Sequence, residues 1–200
     1  MEWRSKRIHR GLMIEYASIS WMVVEVAGAL AAGILASSFA LIAFGSDSII
    51  ELVSAIVVLG HLRKDSLGSA AQGERTALFT SLLLVSIVPV IGISSTYSFL
   101  VLKIRPETSI LGLAVAIAAV VIMPILWREK RKIGLETNCL PLSIDAMESA
   151  TCFFMSVALL GGLAAEFVFH LGWFDYIATL VILGFVAFEA KESFEEARLH

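Results

Sequence analysis

The sequence predicts an all-α membrane protein of six transmembrane helices with both termini in the cytoplasm. Three observations carry this. Of 200 residues, 58% are hydrophobic and only 16% charged, with a mean hydropathy of +0.86; soluble domains carry about a quarter charged residues. The apolar residues form runs long enough for spans of roughly 20 residues each. Lysine and arginine are concentrated in alternate connections.

The elements follow in order. MEWRSKRIHRG is basic, but the apolar run after it is far longer than a signal-peptide core and has no clear small-residue cleavage site, so the segment is expected to be retained. From Gly11 to Gly60 the only charged residues are Glu15, Glu25, Asp47 and Glu51. That run accommodates two spans, about 12–34 and 39–62, with a turn near AGILASS. The charged linker HLRKDSLGSAAQGER follows. Spans near 76–101 and 108–127 come next, divided by KIRPETS. WREKRKIGLETN reads as a second charged loop, and spans at about 141–167 and 173–191 close the bundle around FHLGW. The tail KESFEEARLH reads as a solvated helix end, with no soluble domain. Pro89 and Pro124 fall in the third and fourth spans, where a proline removes a backbone donor and bends a helix. Pro141 is placed to open the fifth. There is no convincing internal repeat.

Six spans sort the cations sharply. Arg4, Lys6, Arg7, Arg10, Arg63, Lys64, Arg75, Arg128, Lys130, Arg131, Lys132, Lys191 and Arg198 fall on one side, 13 of the 15. Only Lys103 and Arg105 fall on the other. The positive-inside rule then predicts cytoplasmic termini, and five or seven spans would scramble the partition.

The informative residues are the acids inside the spans. Asp47 and Glu51, in FGSDSIIELVSA, lie one helical turn apart on a single face. A charge at mid-bilayer costs at least ~2.5–3.5 kcal/mol, and two together repel. A bound divalent cation or retained protons relieve both costs; the alternative is a pair of neutral acids hydrogen-bonded to other helices. The fifth span carries SIDAMESATCFFMS, which sets Asp145, Glu148 and Cys152 on one face. At about 1.5 Å per residue, the inward-running second helix puts Asp47 level with Cys152 and Glu51 level with Glu148. These four would meet near the midplane.

Three carboxylates and a thiol suit a four-coordinate divalent metal such as zinc, cobalt, cadmium or ferrous iron. Magnesium and calcium avoid sulfur. Two readings stay open for Cys152, a ligand or a small apolar filler. Asp145 is either an entry-side ligand or a carboxylate favoured by the helix N-terminus. Glu25, deep in the first span, is either a supporting or proton-carrying group or the partner of a hydroxyl. Glu15, Glu166, Asp175 and Glu189 lie near span ends, where water or snorkelling is expected; His61 and His170 read as interfacial. Cys139 and Cys152 make no disulfide framework or zinc-finger spacing. The sequence has no phosphate loop, no nucleophile–base constellation and no nucleic-acid patch. No enzymatic activity is expected.

Six spans with DSIIE on the second and DAMESATC on the fifth resemble the cation diffusion facilitator superfamily, in particular its short bacterial members. ALIAFGSDSIIELVSA and PILWREKRKIG are also similar, and the likeness covers about 10–195. The resemblance implies export of divalent metal from the cytoplasm across a bacterial inner membrane. It implies exchange for protons and alternating access in a homodimer. By position, Asp47 and Glu51 match the family's acidic pair; Glu148 and Cys152 fall where its His-or-Asp and Asp stand. That difference touches metal preference. The family's usual cytoplasmic C-terminal domain and His-rich loop are not in this sequence. A dimer would then form through the membrane helices. The competing reading is a non-transporting membrane subunit or scaffold that keeps the fold.

Overall fold

The computed structural model describes residues 2–64, 88–103, 106–107, 109–137, 139–169 and 173–198. Among them the secondary structure is helical, without strands. Six helices follow the expected order: α1 (Glu2–Ala36), α2 (Phe39–Lys64), α3 (Val88–Leu102, with a π-helical end from Ser98), α4 (Ile110–Thr137), α5 (Leu140–Phe169) and α6 (Trp173–Arg198). Four, α1, α2, α4 and α5, contain segments long and apolar enough to cross a membrane. The apolar parts of α3 and α6 are shorter, Val88–Leu102 and Trp173–Phe188. The first part of the expected third span, 76–87, lies outside the described residues, as do the linker 65–75 and His170. The side chains of His61 and Glu189 lie outside them too.

Short polar residues end and start the helices where the sequence suggests a turn. Ser37 takes a left-handed φ of 54°, and the Ser38 N–H reaches back to the Gly33 carbonyl at 2.9 Å. That six-to-one bond closes α1 in a Schellman motif. Ser38 then caps α2 through the Leu41 N–H at 3.1 Å, and Ser109 caps α4 through the Gly112 N–H at 3.0 Å. Asp175 of α6 adds a second cap to α2: it accepts from the Ser38 hydroxyl, from Phe39 N–H at 2.9 Å and from Ala40 N–H at 3.3 Å. A carboxylate facing a helix N-terminus also complements its partial positive charge.

The expected second charged loop is not a loop. WREKRKIGLET continues α4 to Thr137, so α4 and α5 are joined through residues 138 and 139 alone. Its Arg, Glu, Lys and Leu residues are strong helix formers. The extension packs because Arg10 bonds Glu129 at 2.7 Å and Arg7 meets Glu136 at 3.1 Å, tying α1 to α4. Gly134 lets the Ser143 side chain and backbone approach where α4 meets α5. The helices thus carry charge well past their apolar cores, because charge alone does not stop a helix.

α2 and α5 pack against each other at the middle. α2 also contacts α1 and α6; α5 also contacts α4 and α6; and α1 lies along α4. Small residues bring these axes close, as at Gly162, whose missing Cβ leaves room for Ala178 of α6. One apolar core, including Leu41, Phe44, Met123, Met155, Leu159 and Ile182, joins α1, α2, α4, α5 and α6. A smaller one (Val58, Leu62, Ile133, Cys139, Leu142) fills the end bearing the basic residues of α1 and α4.

The exterior is apolar, and the interior holds acids among its apolar core. Val24, Ile34, Ile117, Val121, Phe154 and Leu180 are among many exposed large hydrophobic residues. Glu15, Glu25, Asp47, Glu51, Lys130 and Asp145 are buried. An apolar exterior with charged groups buried inside matches helices surrounded by lipid, where polar groups must face inward.

Candidate functional site

The bundle centre holds polar side chains from three helices. Asp47 and Glu51 of α2 are each 4% exposed, and Cys152 of α5 is wholly buried. Glu148 is half-buried. α1 adds Glu25, also wholly buried. One oxygen of Glu25 accepts from the Ser48 hydroxyl at 2.9 Å and from the Cys152 thiol at 3.4 Å. Glu25 therefore bridges α1, α2 and α5. Glu51 accepts from the Ser149 hydroxyl at 3.1 Å and faces the Cys152 thiol as well. Asp47 lies within electrostatic reach of Glu25, Glu51 and Glu148.

The helical spacing explains this convergence. Asp47, Ser48, Glu51 and Ser54 fall on one side of α2, and Asp145, Ser149 and Cys152 on one side of α5. The antiparallel contact of α2 with α5 turns the two sides together. The pairing differs from that expected by depth. Glu51 sits between Ser149 and Cys152, and Glu148 meets the Ser54 hydroxyl. α5 is displaced along α2 by part of a turn relative to a register counted from the membrane surfaces. Loop geometry and axis crossing, which set that register, are not encoded in depth alone.

Several carboxylate oxygens have no hydrogen-bond partner: Glu25 Oε2, Glu51 Oε2 and Glu148 Oε2 are buried and unmatched. Buried polar atoms are normally paired, so this centre retains unused acceptor capacity. In this arrangement, no group of three His, Cys, Asp or Glu side chains among the described residues is drawn together as a metal-holding set. The four expected ligands share the central region, with Ser149 and Glu25 interleaved.

A second cluster lies one turn nearer the basic end. Lys130 Nζ of α4 is 2.6 Å from Asp145 Oδ2 of α5 and 3.8 Å from Glu15 Oε2 of α1, and all three side chains are wholly buried. Lys130 counts in the sequence as one of the loop cations, and Glu15 as an acid near a span end; the structure corrects both. Lys130 follows Met123 and Leu126 and precedes Ile133 and Thr137 on the buried stripe of α4. That spacing of three and four was the available signal. Asp145 is an ion-pair partner, which explains its burial more directly than the helix N-terminus.

Glu166 and Asp175 are likewise buried, at 6% and 3%, where water or snorkelling was expected. Asp175 is held in by capping α2, as described above. Ser149 and Ser48 were missed because a hydroxyl in an apolar run is ordinary; only the partner carboxylates mark them.

The fold and interior thus define a helical bundle with an apolar exterior and an acid-rich centre built from α1, α2 and α5. No protein-family model matches the chain, and no curated protein matches it.

Proposed function

We propose that this chain is an integral membrane transporter of cations. More specifically, we propose that it exports divalent transition metals from the cytoplasm in exchange for protons, in the manner of the cation diffusion facilitators that the sequence resembles. The observation that carries the reading is the burial of Asp47, Glu51, Glu25 and Cys152 together inside an apolar-surfaced bundle, with carboxylate oxygens left unpartnered. A lattice of neutral helix-joining acids would use those oxygens.

Protons and metal compete for the same oxygens. An empty dry site favours neutral carboxylic acids, and a bound divalent ion favours carboxylates. Metal arriving from the cytoplasm displaces protons from Asp47, Glu51 and Glu148. A rocking of the bundle then turns the site outward, and external protons replace the metal. Six spans, cytoplasmic termini and a location in a bacterial inner membrane complete the reading. With the buried Lys130 set aside, 12 of the other 14 Lys and Arg fall on one side, which supports the orientation. Zinc, cobalt, cadmium and ferrous iron are the candidate cargoes, and a homodimer through the membrane helices is the expected assembly.

The test is reconstitution into vesicles, with flux of each metal measured with and without a pH gradient. Flux driven by the gradient and abolished by Asp47→Ala supports the proposal. Flux indifferent to the gradient indicates a passive channel. Wild-type protein that moves none of the metals fits a non-transporting membrane subunit and overturns it.

A further inference from the structure

The buried Lys130 cluster has no part in the exchange just described. Three layers lead inward from the basic end of the bundle. The outermost is the partly exposed pairs Arg7–Glu136 and Arg10–Glu129. Next comes Lys130 with Asp145 and Glu15, wholly buried. One turn further along α5 are Glu148 and Ser149, with Glu51 of α2 against Ser149. A cation approaching Glu51 from that end meets the Lys130 ammonium first.

The ammonium is not held symmetrically. It is 2.6 Å from Asp145 but 3.8 Å from Glu15. Glu15 is thus a second buried carboxyl group within reach of the same ammonium. The charged groups facing Lys130 are Asp145 and Glu148 of α5, Glu15 of α1 and Glu51 of α2. The four-carbon stem of lysine carries a compact charge that moves over several ångströms with small torsional changes.

We propose that Lys130 is a tethered cation that gates the acidic centre, switching between Asp145 and Glu15. Paired with Asp145, it bars entering cations by like charge. Moved onto Glu15, it uncovers Asp145 as the first oxygen ligand on the way to Glu51 and Glu148. An inbound metal and the lysine ammonium compete for one carboxylate, so the gate yields to cations and to little else. This inference rests on the transporter reading for its purpose, but its test does not require transport.

The experiment uses Cys152 as a native reporter, in protein purified in detergent with Cys139→Ala removing the other thiol. Labelling rates are compared for two methanethiosulfonates of similar size, one bearing a trimethylammonium group and one neutral. Lys130→Met is expected to raise the cationic-to-neutral rate ratio by about tenfold or more, from loss of a nearby unit charge. Lys130→Arg should stay near wild type. Glu15→Gln, which removes the receiving carboxyl group, should lower the cationic rate below wild type. Equal acceleration of both reagents in Lys130→Met would mean loosened packing and would overturn the gate, as would an unchanged ratio. If the single variant does not fold, Lys130→Met with Asp145→Asn leaves no unpaired charge between them and must still raise the ratio, by less than the single variant because the Asp145 carboxylate is removed with the ammonium. A failed transport assay leaves this labelling pattern intact, so the two proposals fail separately.

Discussion

Glu51→Gln separates a ligand from a structural acid. The change keeps the side-chain length and an acceptor for the Ser149 hydroxyl, now 3.1 Å from Glu51 Oε1. A net hydrogen bond of about 1 kcal/mol is therefore preserved. It removes a carboxylate that is only 4% exposed and that neighbours three acids, Glu25, Asp47 and Asp145, against the one cation Lys130. The empty protein should then melt at the same temperature as wild type or higher, because a buried acid among acids is relieved. Metal affinity should fall steeply. A carboxylate oxygen sits about 2.1 Å from a bound zinc ion. At that distance one charge attracts a divalent ion by about 4 kcal/mol even with the dielectric constant of water. Losing it corresponds to about a thousandfold in Kd. Calorimetric titration of zinc or cadmium into detergent-purified protein measures Kd, and a thermal melt of the same samples measures stability. Wild-type affinity in Glu51→Gln would refute its place in the site. A large drop in melting temperature would show that Glu51 holds the helices together.

Two more expectations follow from the same geometry. Metal binding should release protons, because oxygens that ligate must be deprotonated; apparent affinity therefore rises with pH, and a weakly buffered sample should acidify when metal is added. Binding without proton release would remove the basis for exchange. Asp175→Ala should destabilise the protein by about 1–2 kcal/mol, through loss of its bonds to Ser38, Phe39 and Ala40 at the start of α2. Thermal melting reads this, and metal affinity should be unchanged, since Asp175 lies two turns of α2 away from Asp47.

Much of the centre is legible in the sequence. Asp47 and Glu51 stand out because an ionisable group in an apolar run has few explanations, and i, i+4 spacing puts both on one face. Asp145, Glu148 and Cys152 stand out by their i, i+3, i+7 spacing on α5. Lys130 did not. It lies among Arg128, Arg131 and Lys132, and a run of cations reads as a solvated loop. In the structure that run is helical, so its members point to different sides. Only Lys130 among the four is buried, against two acids that come from α1 and α5. Glu15 and Asp175 were misread for a related reason. Position near a span end indicates water only when no neighbouring helix covers the residue.

Composition and periodicity dictate a helical membrane chain, the order of its helices and the shared faces of Asp47 with Glu51 and of Asp145 with Glu148 and Cys152. Those follow from composition and from the 3.6-residue period, which are local properties. The tertiary structure decided which acids meet. It set Glu51 between Ser149 and Cys152, gave Glu25 to both α2 and α5, and paired Lys130 with Asp145. Such pairings depend on helix register and rotation, which are fixed by close packing at small residues and by caps such as Asp175 on α2. Nothing within a single helix specifies them.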